Sequence, residues 1–86
     1  MKIAVCNVSI GKDYNEKKWV KNAIKNHKNY CKYNNYDYII RNNPETNRSA
    51  HWEKIDLLIK VINKYDIAFW MDTDSVFLNF NIKIEE

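Results

Sequence analysis

The chain has 86 residues, 45% hydrophobic and 29% charged, which sets it apart from disordered segments and leaves room for one domain, residues 1–86. Its formal charge of +3 is spread among asparagines and acids rather than gathered in a block, so no nucleic-acid partner is indicated. A chain this short buries only roughly 60% of the surface exposed when unfolded, which makes a self-sufficient core marginal and truncation an expectation.

The first segment, Lys2-Ile-Ala-Val-Cys-Asn-Val-Ser9, is continuously apolar rather than alternating, as in a parallel strand covered on both faces. It is too short for a signal-peptide core, and no run approaches the roughly 20 apolar residues of a membrane span. Cys6 and Cys31 lie far apart in apolar surroundings without zinc or redox spacing, so they read as buried, reduced thiols. Together these features point to a cytoplasmic setting. The sequons at Asn7 and Asn47 carry little weight in so asparagine-rich a chain.

Gly11, the single glycine, breaks the strand, and Asp13 with Glu16 reads as a capping box opening a helix. In that helix Trp19, Val20, Ala23, Ile24, His27, Tyr30 and Cys31 recur at helical spacing. A turn at Asn34-Asn35 precedes a second strand over residues 36–40 (YDYII), and residues 41–49, with Pro44, form the main loop. A second helix is expected to bury Trp52, Ile55, Leu58, Ile59 and Ile62 while Glu53, Lys54, Lys60 and Lys64 face outward. Residues 67–71 (IAFWM) then read as a central strand that ends at Asp72-Thr73-Asp74-Ser75.

Strand, helix, strand, helix, strand predicts an α/β fold with a parallel sheet and β-α-β-α-β order, a three-layer Rossmann-like arrangement. Three strands are few, and the expected sheet leaves an open edge through which the chain can associate. In open α/β sheets ligands sit beyond the carboxyl ends of the strands, where both Ser9-Ile10-Gly11 and Asp72-Thr73-Asp74 fall.

Two carboxylates one residue apart repel each other unless a cation neutralises them. Mg²⁺ or Mn²⁺ takes hard oxygen ligands and commonly only one or two carboxylates, completing its shell with water and substrate phosphates. Asp72 and Asp74 meet that need. The alternative is a solvated strand-end turn, since Asp and Ser are favoured there. His51 near a helix start reads as a cap or surface group rather than a further ligand.

Four segments carry a wider resemblance: Ile3 to Ser9, the segment from His27 through Tyr30 and Tyr36 to Tyr38, the Trp52-Glu-Lys54-Ile55 run, and Phe69-Trp-Met-Asp72-Thr-Asp74-Ser-Val-Phe-Leu-Asn79. In these the chain resembles the GT-A fold glycosyltransferases, and most of all the family of fungal α-galactosyl- and α-mannosyltransferases and plant xyloglucan xylosyltransferases. An aromatic-x-Lys motif before the strand that delivers Asp-x-Asp, with Asn79 five residues beyond Asp74, is the telling combination. The resemblance implies sugar transfer from a nucleotide-diphosphate donor, UDP-linked, to a glycan or protein hydroxyl acceptor, with retention and with Mn²⁺ or Mg²⁺ as cofactor. It implies that Asp74 ligates the metal and that Asp72 meets the ribose or the metal's water shell. Lys54 is placed near the diphosphate or the first carboxylate, Ser9, Ile10 and Gly11 at the base and ribose, and Thr73 within the same donor site. Catalytic domains of this family are much longer, so the chain is expected to be the N-terminal, nucleotide-binding part, without the acceptor pocket and a late histidine of the metal site.

Two rival readings remain at this point. A haloacid-dehalogenase-type phosphatase also follows an apolar strand with Asp-x-Asp, with Asp72 as nucleophile and Asp74 as acid/base. That motif normally opens its domain, whereas two strand-helix units precede it here. A truncated, non-catalytic module that binds a nucleotide sugar, or that serves as an interaction module through its open sheet edge, is the third reading.

Overall fold

The apolar run at the N-terminus forms the middle of the sheet. The structure, a computed structural model, describes residues 1–85. Strands β1 (Ile3–Val8), β2 (Asp37–Arg41) and β3 (Ile67–Trp70) are parallel in the order β2-β1-β3. The helices are α1 (Lys12–Glu16), α2 (Lys18–Asn34) and α3 (Ala50–Ile62). The α/β class, the strand-helix order and the parallel, Rossmann-like half-sheet are therefore as the sequence predicts.

β1 is covered on both sides, and its alternate residues enter two separate cores. Ala4 and Cys6 pack with Leu57 and Val61 of α3, whereas Val5 packs with Tyr30 and Cys31 of α2 and with Met71. The second core is closed by residues 76–84, which return across α2. Phe77 stacks on Tyr30 at 3.6 Å between ring centroids, and the Tyr30 hydroxyl donates to the Ile82 carbonyl at 2.7 Å. Both cysteines are free and buried, as expected, and burial raises their thiol pKa values to about 11 for Cys6 and about 12 for Cys31.

Four expectations are corrected. β3 is an edge strand rather than the central one: β1 takes the centre, and a continuous apolar run does not distinguish the two positions. The first helix does not run on from Asp13, and no side-chain cap bond forms at its start. Asn15 ties α1 to the end of β1, donating to the Ser9 carbonyl at 2.9 Å and accepting from the Ser9 hydroxyl. The chain then turns through an extended residue, Lys17, before α2 begins. Trp19 consequently lies exposed, edge-on to Tyr14.

The third correction is the buried face of α3. Glu53, Leu57 and Val61, four residues apart, face inward, whereas Trp52 (43% exposed), Ile59 (58%) and Ile62 (52%) face outward. Fourth, Glu53 is an inward acid, not an outward one. It accepts the backbone N–H groups of Glu45 and Thr46 at 2.9 Å each, together with the Thr46 hydroxyl and Arg41 Nη1 at 3.1 Å. The buried guanidinium of Arg41, at the end of β2, also meets Asp56 at 3.0 Å and Glu45 at 3.2 Å. Ion pairing at this depth satisfies charges that burial would otherwise penalise, and it fastens the 41–49 loop to α3.

Among the described residues no helix is long and apolar enough to cross a membrane.

Candidate functional site

The carboxyl ends of β1 and β3 lie side by side, because Cys6 is in register with Trp70 and Met71 N–H donates to the Cys6 carbonyl at 2.9 Å. Beyond this point the chain makes a turn closed by the Ser75 N–H on the Asp72 carbonyl at 3.1 Å. Asp72 and Asp74 are both exposed on it, while Thr73 between them is buried.

Thr73 points inward because Asn7 receives it. The Asn7 amide nitrogen donates to Met71 O at 2.7 Å and to Thr73 Oγ1 at 3.1 Å. The Thr73 hydroxyl proton has acceptors in Val8 O at 3.4 Å and Asn7 Oδ1 at 3.5 Å. On the far side of the turn, the Nε2–H of buried His27 donates to Ser75 O at 2.6 Å, which leaves Nδ1 to accept from the Tyr38 hydroxyl at 3.2 Å. Burial lowers the His27 pKa, and its bond to Ser75 partly offsets the shift. Asn26 clamps Phe77 through both backbone groups, at 3.0 and 2.7 Å.

Asp72 is held from the α3 side. Trp70 Nε1–H donates to Asp72 Oδ1 at 2.5 Å, and Lys54 Nζ lies 4.8 Å from the centre of the Trp70 ring. The structure therefore brings Lys54 to the residue that carries Asp72, although no ion pair joins Lys54 to Asp72 among the described residues. Asp74, in contrast, takes no hydrogen bond or ion pair among the described residues. It lines a concavity of about 530 Å³ whose other walls include Trp19, Asn22 and Asn26 of α2.

At the end of β1, Ser9 is buried with its hydroxyl on Asn15, Ile10 is half-buried, and Gly11 is exposed. Gly11 has φ 113, a left-handed conformation that side-chain-bearing residues rarely adopt. Of the residues predicted to meet a donor, Gly11, Asp72 and Asp74 are thus open to solvent, whereas the Ser9 and Thr73 side chains are engaged within the protein. His51 is exposed. Asn7, Asn15 and His27 have structural roles at the site that sequence reasoning missed; the available signals were a polar residue inside the apolar run of β1 and a histidine in the buried stripe of α2.

The donor set fits a hard divalent cation in one respect: two solvent-facing carboxylates share one turn, and that of Asp74 has no neutralising partner among the described residues. No group of three or more His, Cys, Asp or Glu converges among the described residues, so the turn offers a two-carboxylate site. A second groove, about 410 Å³, runs along α3 past Arg48, Trp52, Asp56 and Ile59 and includes neither Asp72 nor Asp74. Arg48 lies over the Trp52 ring there, 4.7 Å from its centre.

A parallel sheet with polar turns gathered at its carboxyl edge defines an α/β protein whose ligand site is expected at that edge. The sequence profile of the galactosyl transferase GMA12/MNN10 family matches residues 2–86, and the chain belongs to that family. No curated protein and no solved structure matches it. Family membership makes this a glycosyltransferase chain and removes the phosphatase reading of Asp72.

Proposed function

We propose that this chain supplies the donor-binding site of a metal-dependent glycosyltransferase of the GT-A type, which transfers a sugar from a UDP-linked donor to a hydroxyl acceptor with retention. The observation that carries the proposal is the turn after β3, where Asp72 and Asp74 are exposed on either side of an anchored Thr73. Asp74 and Asp72 would hold Mn²⁺ or Mg²⁺. When bound, the ion supplies charge neutralisation for the donor diphosphate and stabilises it as a leaving group.

The chain's own residues orient the donor. Gly11, lacking a side chain, lets the base and ribose approach the end of β1, beside Ile10 and Ser9. Trp70 fixes Asp72 on the side nearer α3, where Lys54 lies over the Trp70 ring, and there Asp72 would meet the ribose hydroxyls. Lys54 adds a positive charge close to the diphosphate. The concavity beside Asp74 leaves space for groups that extend from the diphosphate.

Calorimetric titration of UDP, with and without Mn²⁺, into the chain and into an Asp74→Ala variant tests this. Manganese-dependent binding that the variant loses supports the proposal. UDP binding that is indifferent to Mn²⁺ and to Asp74 would leave a nucleotide-binding module of another kind.

A further inference from the structure

Residues Ile3 to Asn7 of β1 are all buried, and Asn7 is the one among them with a polar side chain. An amide buried in a strand is unfavourable unless it is hydrogen-bonded, and Val5 shows that apolar packing serves the same face of the strand. The amide nitrogen of Asn7 makes both its bonds to the segment that bears the two carboxylates, at Met71 and at Thr73.

A pattern continues along that segment. Residues 71 and 73 are tied to β1 by Asn7, and residues 75 and 77 are tied to α2 by His27 and Asn26. The alternate residues Asp72, Asp74 and Val76 are exposed. Each carboxylate therefore sits between two anchored neighbours.

We infer that Asn7 is a positioning residue for the Asp72–Asp74 pair, acting through the Thr73 hydroxyl to set the turn before a cation arrives. The inference rests on the cation-site reading of those two carboxylates. A small divalent ion needs near-octahedral oxygen geometry, so a turn that is already fixed loses less freedom on binding than a loose one. The function of the buried amide is then to shape the site, beyond holding the sheet together.

Thr73→Val keeps the shape of the side chain and removes the hydroxyl; Thr73→Ser restores it. Two quantities are read on the full chain: exchange of the Ser75 amide, which donates to Asp72 O at 3.1 Å, and Mn²⁺ affinity from water-proton relaxation. Thr73→Val is expected to speed Ser75 exchange and weaken Mn²⁺ binding by roughly tenfold each, the scale of one buried hydrogen bond. Thr73→Ser should stay close to the parent in both, and the β1 amides should be unchanged in all three proteins. If Thr73→Val does not fold, Asn7→Asp, which sets an acceptor against the Met71 carbonyl, is read in the same two ways. Unchanged Ser75 exchange overturns the inference, and so does faster exchange with unaltered Mn²⁺ affinity. A parent chain that takes up no Mn²⁺ overturns the cation reading of Asp72 and Asp74 itself. The inference falls with that reading, and this outcome is distinct from its own failure, in which the parent binds Mn²⁺ but Thr73→Val leaves Ser75 exchange or Mn²⁺ affinity unchanged.

Discussion

Trp70 and Asp72, two residues apart at the end of β3, are joined by an indole N–H that donates to Oδ1 at 2.5 Å. The same ring lies under the Lys54 ammonium, so one side chain links the helix that carries the basic residue to the turn that carries the acids. Trp70→Phe keeps a ring for Lys54 and for the α3-side core but removes the donor. Manganese-dependent UDP binding should weaken several-fold, while stability should change by about 1 kcal/mol or less, the net worth of an exposed hydrogen bond. Paired calorimetry and thermal melts check this; equal losses in folding and binding would assign Trp70 to packing alone.

Glu53 predicts acid sensitivity of the 41–49 loop. The Glu45 N–H and the Thr46 hydroxyl, with help from the Thr46 N–H and Arg41, hold its carboxyl at about 2, against an ordinary 4.5 and against the opposing effect of burial. A carboxyl with a depressed folded pKa contributes stability that is complete above the unfolded value and is lost as pH falls towards the folded one. Urea midpoints should therefore fall between about pH 4.5 and pH 2. Glu53→Gln should be less stable than the parent near neutrality and should show a shallower slope across that window.

His27 acts over a higher range. Burial lowers its pKa below 6.5, so the folded protein favours the neutral ring that donates to Ser75 and accepts from Tyr38. The unfolded chain binds the proton first as pH drops, and stability declines below about 6.5 until the folded ring also titrates. Thermal midpoints measured from about pH 7.5 to pH 5 should fall for the parent, and His27→Gln should remove that part of the decline.

These two residues also mark how far the sequence could be read. The run of β1, the α2 stripe of Val20, Ala23, His27, Tyr30 and Cys31, and the polar turn at the end of β3 were legible, because each is a local pattern with one burial solution. The orientation of α3 was not. Trp52, Ile55, Ile59 and Ile62 form as good a helical stripe as the true face, which is headed by an acid. Glu53 is inward only because Arg41 and the 45–46 backbone meet it, and a partner seven or more residues away leaves no periodic trace. At the site, sequence reasoning found the exposed carboxylates and Gly11 but not the buried amide of Asn7 or the imidazole of His27 beneath the turn. Groups of that kind declare their role through hydrogen bonds rather than spacing.

On the proposed reading the cation sits at the turn after β3. Paramagnetic broadening of amide resonances by substoichiometric Mn²⁺ in the presence of UDP locates it directly. Broadening is expected to centre on Asp72, Thr73 and Asp74, to reach Gly11 and the Lys54 end of α3, and to disappear in Asp74→Ala. Broadening centred on the α3 groove around Asp56, or none at any site, would contradict that reading.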